Sequence, residues 1–521
     1  GIGEGNGGLN GDQFRIRGFE AKGDLYVDGL RDFGVYVRDS FATEEVQVLK
    51  GPSSESFGPG PTGGAITQRQ KSAHLGDASN FNFSIGTDSY YRGTVDVNKQ
   101  VNSTTAMRGV AMYHSQDIPD RDHVDSERYG FLGSIGFGLG TDTTWVVNYL
   151  HQTGDQKPDM GVPNILGTNA SRGQPATGLG VDRSAYYGRA QDHDETQADI
   201  ITSRFQTKVN DQVTFYNDTR LAFYSRDFSA TIPGCANGNA NPPSTCADDF
   251  LAGGNPNVSF GGGNPTYEQD NWGFQNISSA VARFHTGFLK HEAVAGVDVF
   301  YQENDRAGYS ISGKTANSPI RNPGIRYHDR YTVTRNPNAD RFMDGTEVGL
   351  FASDRVWFTP ELSVLGGIRW SHFEYAYSQP GATPQPIDRT SEGDYWSPKV
   401  SVIWEPTQQQ TYYFSWATSA SPLGAYVGNA AQPITNDAFE GEVEENESFE
   451  VGAKFSLLGD RLGFTTALFQ VEKGNAVVSD DAGNPVFTGE EQRVRGVEFG
   501  LAGQLTRAWA MNAAVTFMES K

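Results

Sequence analysis

The sequence predicts an antiparallel, up-and-down membrane β-barrel preceded by a small N-terminal α/β unit. Three observations carry that expectation: period-two alternation along about seventeen segments, connections that alternate between short and long, and a composition that favours strands and turns. The 62 Gly, 32 Phe, 22 Tyr and 8 Trp of the 521 residues supply turns and half-buried strands. No run approaches the roughly 18 apolar residues of a membrane helix, so a helical membrane protein is excluded. The 63 Asp and Glu against 41 Lys and Arg leave a net charge of −22, which argues against a nucleic-acid partner.

The first unit spans residues 1–74. It carries dense Gly/Pro clusters and two short apolar strands, Leu25 to Val27 and Val46 to Leu49. Residues 75–521 form the barrel. Leu362, Val364, Ile368 and Trp370 lie on one face of a strand, with Ser363, Arg369 and Ser371 on the other. Phe449, Val451 and Phe455 alternate in the same way with Ser448, Glu450 and Lys454. Segments of ten or more residues suit tilted membrane strands, and aromatic pairs at their ends suit interfacial girdles. Turns such as Asn210-Asp211, Thr359-Pro360 and Thr506-Arg507 are short. Long connections fall near 154–195, 229–269, 304–342, 420–444 and 474–491. Long loops on one side and tight turns on the other are the asymmetry of an outer-membrane barrel. A single-chain bacterial barrel has an even strand number, so an odd count that stops at Lys521 reads as truncation.

Cys235 and Cys246 are the only cysteines, and both lie in a Gly/Asn/Pro-rich stretch. Without further Cys or His at metal-ligand spacing, they read as a disulfide in an oxidising compartment. The start at Gly1 carries no leader and says nothing about secretion.

Five motifs follow one another in the first unit: IRGF (16–19), VDGLRD (27–32), YVRDSF (36–41), EEVQVLKGPSS (44–54) and FGPGPTGGAI (57–66). In that order they resemble the plug domain of TonB-dependent outer-membrane receptors, most closely the ferric-siderophore subfamily. WSPKVSVIWEP (396–406), TYYFSWATSASP (411–422), ESFEVGAKF (447–455) and RVRGVEF (493–499) are similar to the barrel of that family. The resemblance implies a 22-stranded barrel occluded by a plug in the outer membrane of a Gram-negative bacterium. It also implies a monomer in outer-membrane lipid that imports a ferric siderophore with energy from TonB, ExbB and ExbD. By that pattern the TonB box, the start of the plug and the last strands lie outside this sequence. Iron would arrive within the siderophore, so no cofactor and no protein-bound metal are expected.

The resemblance carries a charge lock onto four positions. Arg17 and Lys50 of the plug would pair with Glu450 and Glu498 of the barrel, with Lys50 standing where Arg is commoner. Periodicity independently puts both glutamates on inner faces. A ligand site is expected where plug loops point outward, at Arg31, Tyr36 and Arg38, with Gly23 and Asp24 in the neighbouring apex loop. Cationic and aromatic groups there suit a ferric catecholate. The alternative is that Arg31 and Arg38 pair with Asp32 and Asp39. Loop residues including Tyr186, Tyr187, Tyr309, Tyr327, Tyr331, Tyr426, Arg172, Arg183, Arg189, Arg306, Arg321, Arg326 and Arg330 could line an outer vestibule. Cobalamin, haem or an oligosaccharide are alternative cargoes. The histidines form no haem motif, and only Trp272 offers a sugar platform near a long loop. Gly3, Gly5 and Gly8 open no helical pattern and read as a turn. The acidic run Asp117 to Glu127 reads as a solvated loop, and no catalytic constellation nominates an enzyme.

Overall fold

In the computed structural model the described residues are 2–4, 12–20, 25–51, 63–168, 172–236, 245–258, 266–312, 318–323, 331–383, 385–422, 443–474, 477–479, 485–487 and 491–521. Seventeen long strands, from Ala78–Ile85 to Ala510–Ser520, pair antiparallel in chain order and curl round the N-terminal unit. The alternation seen in the sequence is the alternation of the wall. Ile368 is 45% exposed on the outside, while its neighbour Arg369 is 2% exposed in the lumen. Phe449 and Val451 likewise face out beside inward Ser448. Lipid can meet an apolar surface only if every second side chain is apolar, and the lumen receives the remainder. The short four-residue strand Thr332–Arg335 pairs beside Leu289–Ser312 above the main wall.

The strands exceed the sequence-based bounds at their outer ends. Thr266–Thr286 and Leu289–Ser312 have 21 and 24 residues, against the roughly 9–11 that cross a bilayer. The connection expected from 304 therefore begins only after Ser312, and the residues before it belong to the wall.

The N-terminal unit holds a four-stranded sheet in the order Leu30–Arg31, Leu25–Val27, Gly64–Gln70, Thr43–Lys50. Gly64–Gln70, absent from the sequence-based reading, runs parallel to Leu25–Val27 and antiparallel to Thr43–Lys50. Among the described residues of 1–74, helical structure is confined to the 3-10 turn Ser40–Ala42, which the Asp39 side chain caps by accepting from the Phe41 amide. The α component expected there is thus reduced to one turn. Two motifs are hairpin turns. In IRGF, Ile16 pairs with Phe19 across Arg17-Gly18 at φ 52° and 88°, and in VDGL, Val27 pairs with Leu30 across Asp28-Gly29 at φ 55° and 81°. Two successive left-handed residues make type I′ turns, whose twist matches the flanking strands and explains Gly at the second position of each.

Three long connections on neighbouring strands share one core. Ile165 and Val181 come from 157–192, Cys235, Cys246, Phe250 and Val258 from 230–265, and Ile320 from 313–331. Cys235 and Cys246 are disulfide-bonded, and Ile165 pairs in parallel with Cys235. Tyr187 donates to the Ile320 carbonyl (2.7 Å), and the Arg321 amide donates to Asn255 (2.7 Å). This cap is expected to open as one unit. Cys235→Ser with Cys246→Ser removes about 2–3 kcal/mol of loop-closure stabilisation. Limited proteolysis read by mass spectrometry should then show faster cleavage in 157–192 and 313–331 as well as in 230–265. Cleavage confined to 230–265 would mean that the three segments fold independently.

Candidate functional site

Two clusters fix the N-terminal unit to the wall. In the lower one, the Arg17 guanidinium donates to Glu450 (2.5 Å) and Glu498 (3.0 Å), and Lys50 Nζ lies 3.0 Å from Glu498. The strands carrying the two glutamates, Glu444–Leu457 and Gln492–Gln504, flank Leu462–Lys473, whose Phe469 ring lies 3.9 Å beneath the guanidinium. The glycines of the barrel motifs make this possible. A Cβ on Gly496 would meet the Phe469 ring at 2.6 Å, and one on Gly452 would meet Tyr413 at 2.4 Å. Tyr413 in turn donates to the other oxygen of Glu450 (2.6 Å). Each Gly therefore clears space for the aromatic ring that orients a member of the cluster.

The upper cluster surrounds the segment 30–42. Arg31 makes a two-pronged pair with Glu347 (2.9 and 2.6 Å), which also accepts from the Tyr375 hydroxyl. The Arg31 amide donates to Gln275 (2.8 Å), and buried Arg220 donates to the carbonyls of Val27 (2.9 Å), Leu30 and Arg31 (3.1 Å each). Asp32 accepts from Arg38 Nε (2.7 Å), Tyr36 (2.9 Å) and Tyr224 (2.8 Å). Tyr36 stacks on Tyr224, and Phe33 packs edge-on between Tyr224 and Phe300. Asp39 is gripped by Arg92 at 2.9 and 2.6 Å.

This geometry changes the reading of the expected ligand loop. Arg31 and Tyr36 are 8% and 5% exposed, and both are consumed in anchoring. Local pairing accounts for Arg38 through Asp32, but Arg31 finds its carboxylate on the barrel and Asp39 takes Arg92. Gly23 and Asp24 lie outside the described residues. Burial pushes the Asp32 carboxyl up, but Arg38, Arg220 and the Tyr224 hydrogen bond outweigh it and hold the group below the usual carboxylate range. Asp39 is likewise held low, with Arg92 overcoming its burial.

Above this segment the lumen wall presents cations and phenols. Arg226, Tyr267, Arg306, Arg341, Tyr377 and Arg389 stand on six consecutive strands near their outer ends, at the inward positions of each alternation. Arg306 lies directly across from Arg341, and its guanidinium stacks 3.6 Å over the Tyr267 ring. Tyr377 lies across from Arg389. Arg226 is matched by Asp194 (2.6 and 2.8 Å) and donates to the Tyr267 hydroxyl (3.0 Å). Arg306 was legible in the sequence as a loop residue, and the others were missed. Their signal is parity: Asn304, Arg306 and Gly308 continue the inward set of a strand that was cut short.

Other expected vestibule residues serve the loops themselves. Tyr187 is held within the cap, Tyr331 bonds Ser229 and Asp192, and Arg321 lies over Phe250. Tyr327, Tyr426, Arg326 and Arg330 lie outside the described residues. The described residues hold no group of three or more metal-ligating side chains.

Residues 130–521 match the family model for the TonB dependent receptor-like β-barrel, and residues 1–65 match the TonB-dependent receptor plug domain. The chain is 30% identical to the probable TonB-dependent siderophore receptor PiuA of Acinetobacter baumannii, covering 100% of this chain and 70% of that protein. It is 29% identical to the catecholate siderophore receptor Fiu of Escherichia coli K12, covering 99% and 70%. The crystal structure of PiuA superposes with a TM-score of 0.88 at 27% identity, over 100% of this chain and 74% of that one. The closed form of Fiu gives 0.87 at 28%, over 100% and 76%.

Removing one partner from a buried charge cluster costs about 3–5 kcal/mol, because the remaining charge is left desolvated. Glu450→Ala with Glu498→Ala, and separately Glu347→Ala, should each speed protease nicking of the plug, with unchanged resistance counting against the anchoring role. Asp32 and Asp39 are both lowered, so their contribution is present above the ordinary carboxylate pKa and is lost as pH falls through the depressed values. Corrected for the intrinsic pH dependence of amide exchange, hydrogen exchange of amides 30–42 should stay level from pH 7 to about 4.5 and rise only below it. A rise already between pH 7 and about 5 would contradict these assignments.

Proposed function

We propose that this chain, which belongs to the TonB-dependent receptor family and lies in the Gram-negative outer membrane, binds a ferric siderophore at its outer face and imports it to the periplasm. The observation that carries this reading is the arc of arginines and tyrosines in the lumen above segment 30–42. A ferric tris-catecholate is an anion clothed in aromatic rings. Guanidinium groups answer its charge, and both guanidinium and phenol planes stack on its rings. A neutral hydroxamate chelate would gain far less from the same wall. The acidic balance of the whole chain is no obstacle, because the charge a ligand meets is set locally by the groups lining the lumen wall. The kinship with PiuA and Fiu supports the same cargo class.

Iron is cargo in this reading and no resident cofactor is required. The receptor works as a monomer, and TonB, energised by ExbB and ExbD, pulls through a TonB box at the N-terminal end of the plug. The lower charge cluster holds the plug at rest, and the upper one keeps segment 30–42 docked beneath the bound chelate.

Growth of an iron-starved strain carrying the full-length gene should depend on that gene when a ferric catecholate is the iron source. Arg306→Gln with Arg341→Gln should weaken binding of the ferric tris-catecholate by about 10- to 100-fold, since each charged contact contributes on the order of 1 kcal/mol or more. The same pair should barely alter binding of a neutral ferric hydroxamate. Gene-independent growth on every chelate tested would sink the proposal.

A further inference from the structure

Residues 71–76 carry the chain from the plug strand Gly64–Gln70 to the first barrel strand, Ala78–Ile85, and the wall grips them through their main chain. Asn98 accepts from the His74 amide (3.1 Å) and donates to the carbonyls of His74 (2.7 Å) and Gly76 (2.6 Å). Ser134 accepts from the Ala73 amide (2.8 Å), Arg108 donates to the Ser72 carbonyl (3.1 Å), and Asn148 donates to the Gln70 side chain (3.0 Å). Asn98, Ser134 and Asn148 are all buried. Charge reinforces this strap. Asp96 takes Lys71 (3.0 Å) and a two-pronged contact from Arg108 (2.8 Å each), and Arg108 also reaches Glu44 of the plug (3.1 Å). The partners stand on four consecutive strands, from Tyr91–Gln100 to Thr143–Gln156.

The attachment to the later strands is of another kind. Arg17 and Lys50 reach Glu450 and Glu498 by the tips of their side chains, and Phe19 packs on Phe469, Val471 and Val494. A cavity of about 270 Å³ lies beside this contact, with Gly51 of the plug on one side and Ser401, Ser415 and Ser448 of the wall on the other. These contacts are between side chains, so they can part while the backbone ladders of plug and wall stay whole. Separation at 71–76 would instead strip buried main-chain groups of their partners, and each would bear the full cost of its lost hydrogen bond. A pull at the N-terminal end of the plug also loads Arg17 first, Lys50 next and the strap last, since they follow one another along the chain. We infer that the plug pivots on 71–76 during transport and parts from the wall at Glu444–Leu457 and Gln492–Gln504, so that the cavity there widens while the strap holds. This rests on the TonB-driven import proposed above.

The test uses the full-length receptor in outer membranes, with a ferric tris-catecholate as probe and a disulfide as tether. Ala73→Cys with Ser134→Cys pins the strap, where the Ala73 amide and the Ser134 oxygen are already 2.8 Å apart, and uptake should match in the oxidised and reduced forms. Gly51→Cys with Ser448→Cys pins the other sector, since a Cβ on Gly51 would stand 3.6 Å from the Ser448 oxygen. Oxidation of that pair should abolish uptake, and reduction should restore it. Gly51 is at φ 85°, where a side chain strains the backbone, so single cysteines on the wall supply a second measurement. Ser134 and Ser448 are each 5% exposed. During uptake, Ser448→Cys should react with a maleimide faster in a strain with TonB than in one without it, while Ser134→Cys should stay protected in both. Loss of uptake with the first tether, undiminished uptake with the second, or equal TonB-dependent labelling of the two single cysteines overturns the pivot. Failure of the unsubstituted receptor to bind the probe would instead strike the siderophore reading, and the labelling contrast is then read with the chelate on which growth depends.

Discussion

One arginine in a two-residue turn holds the architecture together. A barrel filled by a separate sheet has two surfaces that must adhere without becoming one core, and an apolar seal would be permanent. Arg17 solves this with charge. Its guanidinium reaches from a hairpin turn to carboxylates on two different strands, so the plug is registered against the wall both around the barrel and along its axis. The surroundings serve that contact: Phe469 shields it, Tyr413 fixes one carboxylate, and Gly452 and Gly496 make room for those two rings. Ion pairs of this kind are poor sources of net stability but strong sources of specificity, because any misplacement leaves a charge buried without a partner.

The outer end of the plug follows the same logic with different chemistry. Arg31 and Glu347 form a second buried pair, and Asp32 collects hydrogen bonds from two tyrosines and an arginine. These contacts dock segment 30–42 on the wall. The arginines and tyrosines proposed to meet an incoming anion stand on the wall above it, so the proposed binding and the anchoring of the plug involve different side chains.

Much of this was legible in the sequence, and the misses have physical causes. Period two revealed the barrel strands because lipid imposes it on every one of them. The lock was legible because ordered motifs place Arg17, Lys50, Glu450 and Glu498, and parity independently turned both glutamates inward. The partner of Arg31 was not legible because Glu347 lies 316 positions away, and no local pattern can announce a carboxylate on the barrel wall. The outer arginines other than Arg306 were missed for a different reason. The strands rise well beyond the membrane, where the outward face turns polar, as at Glu303 and Asp305, so the alternation fades while the strand continues. Gly64–Gln70 was missed because its apolar stretch is only three residues long and a Gly-rich run precedes it.

The shared core of the three long outer connections bears on how such a receptor can change over evolutionary time. Ile165, Phe250 and Ile320 come from different loops but fill one another's space. A substitution in any of them is judged by the packing of the other two, so these loops must vary as a set. Exchange of one loop with a relative would leave a mismatched interior, whereas exchange of all three would carry its own core along. The outer face thus contains a module larger than a loop and smaller than a domain, and new specificities can be grafted there without disturbing the wall below.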